Sequence, residues 1–222
     1  MKSQLLFRVL LAAAFLFQSC ASFRDTPKYQ ISNGEYEFRQ KDTEYKKVFV
    51  ETVDDSLKIH SLGSSSIVTI KPSNDEYFRL RTFDVDAMII AFKYRPAAQN
   101  LPRQLNTDFN GNVYFGYRVD RFQVHFRETP GGLKKSNYHR AYTVGTFGGL
   151  GATAMNPWTT NNQITDEYEG VVLTRGIAFM AGLNNLTFGF GIGWDYLTDR
   201  DKDVWIYQNK PWLGVTLGLN IN

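Results

Sequence analysis

Cysteine is almost absent from this sequence of 222 residues, because Cys20 is the only one. An internal disulfide is therefore excluded, and a single cysteine is too few for a structural zinc site. Histidine is scarce too, with three residues, and no serine follows Ser136, so the C-terminal part offers little for a serine–histidine nucleophile. Charge of one sign is not in excess either. The formal net charge of +3 leaves no polybasic footprint, so we expect no nucleic-acid partner.

Long apolar runs are missing outside the N-terminus. Lys2 and Arg8 precede the apolar stretch 9–17, which is too short for a spanning helix. Basic residues followed by a short apolar stretch are typical of a secretory signal peptide, which we assign to residues 1–19. Cys20 stands at the expected cleavage position, and the residues before it resemble the lipobox of bacterial lipoproteins. That resemblance implies lipidation of Cys20, as by palmitate, and a tether over residues 20–33. The alternative is an ordinary signal peptidase site with an incidental cysteine.

The chain contains long stretches in which large apolar residues alternate with small or polar ones. From Leu186 to Tyr196 every even position is large and apolar, and the odd positions between are small or polar, with Asp195 the one charge among them. The segment from Trp212 to Asn222 repeats the pattern with the parity swapped. A period of two predicts strands with two unlike faces, of which the small polar one suits the crowded interior of a small barrel and the apolar one suits lipid. The residues predicted to face lipid are Leu186, Phe188, Phe190, Ile192, Trp194, Leu213, Val215, Leu217 and Leu219.

Six segments of the C-terminal part carry strand patterns. They are residues 84–95, 112–126, 138–155, 171–183, 186–198 and 205–221. In the second segment the apolar parity flips at Asp120 and Arg121, which indicates a tight turn between two strands or a bulge in one. The third is long enough for one protruding strand or for two that turn near Gly148 and Gly149. The strand count is therefore six or eight, and eight is favoured because small outer-membrane barrels have about eight strands or more.

Two further predictions concern the apolar face of one strand and the placement of aromatic residues. In residues 84–95, the side chains of Met88, Ile90, Phe92 and Tyr94 are expected to share one face of the strand. Aromatic residues make up 15% of the chain, and tryptophan and tyrosine favour membrane interfaces. The aromatic residues assigned to such girdles are Trp194, Trp205, Tyr207 and Trp212.

Residues 34–82 contain shorter and more charged strand patterns, in which Tyr36 and Phe38 alternate with glutamates. We predict three or four antiparallel strands there, exposed to water and lying against the mouth of the barrel. The predicted fold is therefore all-β, with an antiparallel up-and-down β-barrel of eight or six strands in residues 83–222, preceded by a small β-sheet unit in residues 34–82.

The C-terminal part resembles small bacterial outer-membrane β-barrel proteins. The segments that carry the resemblance are Tyr114–Tyr117, Leu186–Trp194 and Trp205–Asn222. Together with the signal segment, the whole chain resembles envelope lipoproteins of Gram-negative bacteria that end in a barrel-like domain. The resemblance implies an outer-membrane location with a lipid anchor at Cys20. Its implied partners are membrane lipid and an envelope protein, and no cofactor is implied.

Two sets of residues could carry chemistry. His125 and His139 flank one loop and could meet near Glu128 as a proton-transfer set at the barrel rim, although polar residues at a water interface are the favoured interpretation. The segment 199–203 alternates aspartates with basic residues at the spacing that begins a calcium loop. Val204 stands where such a loop has glycine, so a solvated turn is favoured.

The sequence thus predicts a non-enzymatic outer-membrane protein of structural or interaction type. Loops on rigid scaffolds carry function more often than strands do, so outside contacts are assigned to one polar loop. Its residues are Trp158, Thr159, Thr160, Asn161 and Asn162. The alternative is a soluble, lipid-anchored β-barrel or sandwich that binds a small apolar ligand, with the large residues of 186–194 pointing inward and the glycines outward. A barrel enzyme acting on lipid or peptide is the third hypothesis.

Overall fold

The computed structural model describes residues 29–40, 43–53, 56–62, 67–69, 76–99, 101–130, 132–184 and 186–219. The predicted signal segment, Cys20 and most of the tether lie outside these described residues. Within them the chain forms eleven strands and one 3₁₀ turn. The same residues contain no helix long and apolar enough to cross a membrane. The predicted all-β class is confirmed.

The strands are numbered in the order in which they follow one another along the chain. Their bounds are β1 Gly34–Gln40, β2 Lys46–Val53, β3 Ser56–Ser61, β4 Ile67–Thr69, β5 Glu76–Arg95, β6 Gln104–Asn106, β7 Asn110–Thr129, β8 Gly132–Met155, β9 Tyr168–Leu183, β10 Leu186–Leu197 and β11 Pro211–Leu219. The 3₁₀ turn is Trp158–Thr160, between β8 and β9. All strand pairs are antiparallel.

Six of these strands close into a ring. β5, β7, β8, β9, β10 and β11 pair in that order, and β11 pairs back onto β5. One row of paired residues starts at Phe83, passes Tyr117, Val144 and Phe179, and returns to β5 at Phe92. The strands are therefore strongly staggered, as a small closed sheet requires. Of the two counts left open by the sequence, six is the one observed.

The two ends of the ring differ. Long connections, residues 96–109, 156–167 and 198–210, lie at one end, which we call the loop end. The opposite end has only the short β7–β8 and β9–β10 connections, and we call it the turn end. In the β9–β10 connection Leu183 pairs with Leu186, and Asn184 takes a positive φ of 52°. β1–β4 attach at the turn end, because β1 pairs with the first residues of β5.

β7 and β8 are single long strands. Their pairing runs without a register shift from Asn110 opposite Gly151 to Thr129 opposite Gly132. The chain therefore has neither a turn nor a bulge at residues 120–121, and no turn at 148–149. The apolar parity flips in β7 for a different reason. The side chains of Val113, Phe115, Tyr117 and Val119 face outward, whereas those of Phe122 and Val124 face inward, because the sheet there covers a hydrophobic core.

That core belongs to the small β unit. Tyr36 of β1 meets Phe78 of β5 and Phe122 of β7 edge to face, at centroid distances of 6.2 and 6.0 Å. The buried members of the core are Ile31, Tyr36, Val48, Val50, Leu57, Ile59, Phe78, Phe122 and Val124. The expected boundary between residues 82 and 83 falls inside β5. The small unit is thus a continuation of the ring's own sheet, and it does not lie against the mouth as a separate sheet.

A bulge in β5 corrects the predicted face of that strand. Val215 of β11 pairs with Phe92 while the next residue, Thr216, pairs with Ile90, so Ala91 is an extra residue. Met88 and Ile90 are consequently buried inside the ring, whereas Phe92 and Tyr94 are exposed outside it. The four do not share one face, because a bulge changes the parity of every residue after it. The last strand is also shorter than predicted, beginning at Pro211 instead of Trp205.

Candidate functional site

The outer face of the ring is apolar and exposed. Phe83, Phe115 and Ile177 are examples, at 89%, 56% and 55% exposure. Other large apolar residues exposed on the ring strands are Val85, Ile89, Phe92, Val113, Tyr117, Val144, Leu150, Val171, Leu173 and Phe179. We call this surface the apolar belt. It is far larger than the apolar patches that monomeric proteins normally leave in water.

The predicted lipid-facing residues lie on this belt wherever the structure describes them. The exposed ones are Leu186, Phe188, Phe190, Ile192, Leu213 and Leu217. Trp194 and Val215 are half-buried on the same face, and the side chain of Leu219 lies outside the described residues. Gly189, Gly191 and Gly193 are buried on the inner face. This orientation is the reverse of the one that the apolar-ligand alternative required.

The interior of the ring is filled by side chains. A Cβ on Gly193 would collide with the indole of Trp212, and one on Gly176 would collide with the ring of Phe147. The narrow six-stranded ring therefore needs glycines opposite its large inner residues. The apolar layer at its middle consists of Met88, Ile90, Tyr114, Phe147, Ala178, Met180 and Trp212.

A buried charge cluster lies inside the ring towards the loop end. Both Lys93 and Arg95 donate to the carboxylate of Asp195, with shortest distances of 3.0 and 2.5 Å, and the Thr174 hydroxyl donates to the same group at 2.9 Å. The three charged side chains are at most 2% exposed. The Lys93 ammonium also lies 4.7 Å from the centre of the Trp212 ring. This cluster ties β5 to β9 and β10 across the interior.

The loops close the ring over this cluster. The Arg95 guanidinium lies 5.2 Å from the Trp205 ring and 5.1 Å from the Tyr207 ring. The amide of Ile206 donates to the carbonyl of Thr159, which joins two loops. The buried apolar residues of the cap are Met155, Val172, Leu197, Trp205, Ile206 and Tyr207. Filled at its middle and capped at the loop end, the ring is not built as a pore.

A second charge cluster fills the ring towards the turn end. Arg118 donates to both oxygens of Asp120 at 3.0 Å and to Asp84 at 3.3 Å. His139 lies 2.7 Å from Asp120 and packs against Phe122, with tilted rings at a centroid distance of 4.8 Å. All four polar groups are buried. These four side chains form a layer that separates the ring interior from the core of the small unit.

The two histidines of the proposed proton-transfer set are on opposite faces of the sheet. His139 points into the interior, where it is 2% exposed. His125 packs on the outside against Tyr138, with ring centroids 5.7 Å apart. The sheet itself separates the two imidazoles, so the structure does not bring this set together.

The predicted contact loop divides into exposed and structural residues. Trp158 is 72% exposed, and Asn161 and Asn162 are also exposed. Thr159 and Thr160 are buried, and their hydroxyls donate to the carbonyl of Asn156 at 3.2 and 2.9 Å. Only three of the five residues can therefore reach a partner.

The aspartate-rich segment is a turn tied to β9. Asp199 accepts a hydrogen bond from the amide of Asp201, and the Tyr168 hydroxyl donates to Asp201 at 2.8 Å. Burial and the hydrogen bond to Asp201 raise the pKa of Tyr168. Among the described residues, no three histidine, cysteine or acidic side chains are grouped so as to hold a metal ion.

Three of the four aromatic residues assigned to girdles are buried. Trp205 and Tyr207 lie in the cap and Trp212 in the ring interior, each at most 3% exposed. Only Trp194 is on the outer face. Sequence reasoning placed them by residue type, which does not distinguish an aromatic at an interface from one beneath a loop. It also missed Lys93 and Arg95, although Asp195, the one charge in its alternating segment, pointed to a buried ion pair.

No protein family, curated protein or solved structure was found to match this chain.

Proposed function

We propose that this chain is a non-enzymatic outer-membrane protein of structural or interaction type, whose six-stranded ring crosses the bilayer. The observation that carries the proposal is the inverted polarity of the ring, with charges inside and large apolar side chains outside. Burying one such side chain is worth about 1.5–3 kcal/mol, so a belt of this size would be very costly in water. Lipid removes that cost.

The belt has the height that a bilayer requires. On β8 its outward apolar positions run from Tyr142 to Leu150. A spanning strand needs roughly 9–11 residues. Towards the turn end the belt stops at Arg121, where the apolar side chains change to the inner face. Towards the loop end it reaches Leu173 and Val171 on β9, just beyond the paired Arg175 and Trp194, which are residue types that favour an interface.

The parts outside the belt suit contacts with other molecules. The cap exposes Trp158, Asn161 and Asn162, and the small β unit has a charged outer surface. Because the interior is filled, transport through the ring is not part of the proposal. A lipid at Cys20 would add a second anchor beside the small unit.

The membrane proposal is tested by one arginine substitution in the belt. In a Cys20→Ala background, which removes the lipid anchor, Phe190→Arg should abolish both the mobility shift on boiling in SDS and retention in the carbonate-washed pellet. An arginine near the bilayer midplane costs about 2–4 kcal/mol. The matched control is Phe109→Arg, because Phe109 is 74% exposed in a loop, compared with 64% for Phe190. A parent protein that shows no shift and leaves the pellet would overturn the proposal.

A further inference from the structure

We propose that a groove on the outer face of the sheet, at the turn end of the belt, binds the phosphate of an anionic phospholipid headgroup. This inference rests on the proposed membrane location and deepens it. The groove has a volume of about 160 Å³. Since a water molecule takes about 30 Å³ of liquid, a phosphate-sized anion fits.

Three arginines line the groove, and they come from three strands. Arg39 lies on β1, Arg121 on β7 and Arg140 on β8. Arg121 and Arg140 are direct cross-strand partners, and Arg79 of β5 is the partner of Arg121 on its other side. Like charges directly opposite one another destabilise a sheet. The row therefore favours an anion that bridges it.

The described carboxylates leave this charge largely uncompensated. Glu37 pairs with Arg79 and, at 3.6 Å, with Arg81. No carboxylate among the described residues pairs with Arg39, Arg121 or Arg140. The Nε of Arg39 is buried and has no hydrogen-bond partner. Guanidinium groups bind phosphate through paired N–H donors, so this is the chemistry the groove offers.

Tyrosines hold two of the three groove arginines in place. The Arg39 guanidinium lies 5.0 Å from the centre of the Tyr45 ring and 5.1 Å from that of Tyr77. Arg121 lies 5.9 Å from the centre of the Tyr142 ring. Cation–π contacts orient the guanidinium groups without neutralising them. The guanidinium groups of Arg39 and Arg121 are thus positioned before any anion arrives.

The position of the groove identifies the source of the phosphate. The paired row through Arg121 and Arg140 continues to Leu183 and Leu186, and those leucines are exposed on the belt. A phospholipid whose acyl chains lie along the belt would therefore bring its phosphate to the level of the arginines. A free phosphate ion would make the same contacts with the arginines but would gain nothing from the belt.

The test counts lipids on the full chain by native mass spectrometry in a phosphate-free, non-ionic detergent. Palmitoyl-oleoyl phosphatidylglycerol is titrated in one series and inorganic phosphate in another. We expect one tightly held lipid on the parent, with apparent affinity reduced about ten-fold or more in Arg121→Gln/Arg140→Gln. Arg39→Gln should weaken the lipid as well. The matched control, Arg103→Gln/Arg200→Gln, changes two exposed arginines of the loop end and should bind as the parent does.

Two other results of the lipid titration would overturn the proposal. Equal lipid binding by the Arg121→Gln/Arg140→Gln variant and the parent would overturn the site. Inorganic phosphate held as tightly as the lipid would overturn the headgroup assignment and indicate a free anion. The boiling shift is measured on the same samples. A variant that keeps its shift but loses the lipid supports the groove, whereas a parent without a shift overturns the membrane proposal independently.

Discussion

Glu76 is a buried carboxyl in the small β unit that has no partner among the described residues. It is 0% exposed, and neither of its oxygens accepts a hydrogen bond. It pairs with Val124 of the hydrophobic core, at the end of β5 that lies outside the belt. Burial raises the pKa of Glu76 from 4.5 to about 7. Because the folded state holds this proton more tightly than the unfolded state does, the stability of the small unit depends on pH.

We expect the small unit to be most stable below about pH 4.5, to lose stability between about pH 4.5 and 7, and to stay less stable above. The loss should be roughly 3 kcal/mol, which follows from a pKa raised from 4.5 to about 7. Glu76→Gln should remove the pH dependence. Hydrogen exchange of β1 and β2, corrected for the intrinsic effect of pH, measures it. Glu35→Gln, at an exposed position of β1, is the control. An unchanged pH profile in Glu76→Gln would contradict the assignment.

Strand β5 passes through three environments. Its first residues cover the core of the small unit, and its middle lies in the belt. At its end, the side chains of Lys93 and Arg95 point into the ring interior. The bulge at Ala91 makes the last change, because in a regular strand of the same sequence Lys93 and Arg95 would lie on the outer, apolar face. The inward positions of these two cations thus depend on the bulge.

Single-residue deletions should distinguish the bulge from a regular strand position. Deleting Ala91 removes the residue that has no partner on β11, so the side chains on both sides keep their faces, and the boiling shift should persist. Deleting Thr146 from the regular strand β8 leaves no bulge to absorb the change, so part of that strand must turn its side chains over. The shift should then disappear. Loss of the shift in both deletions would argue against the assigned register.

In the proposed membrane location, the two ends of the molecule would give it a direction across the bilayer. Outer-membrane barrels place short turns on the periplasmic side and longer loops outside. The small β unit lies at the turn end, and its first strand, β1, follows the predicted tether. In that orientation the small unit and the arginine groove would lie on the periplasmic side.

Cysteine labelling tests this direction in whole cells. A membrane-impermeant maleimide should label Asn162→Cys on intact cells, since Asn162 is exposed at the loop end. It should label Lys47→Cys, which is exposed on β2, only after the outer membrane is permeabilised. The parent protein reports any background from Cys20. Labelling of Lys47→Cys but not Asn162→Cys on intact cells would reverse the orientation.

Local alternation was sufficient to predict the all-β class and the two faces of β10 and β11. A period of two is a property of neighbouring residues, and it needs no knowledge of the rest of the fold. Leu186, Phe190 and Ile192 face outward as their pattern predicts, and the glycines between them face inward. Asp195 likewise stood out as a charge among small residues.

Only the tertiary structure decided what the breaks in that alternation mean. At Asp120 the apolar side chains change face along one regular strand because their surroundings change. After Ile90 they change face because of a bulge. In the sequence the two breaks look alike. Trp212 and Trp194 are the same residue type, yet one fills the ring and the other faces outward. Which face of a strand is apolar depends on whether lipid, core or water lies beyond it, and distant strands determine that when the ring closes.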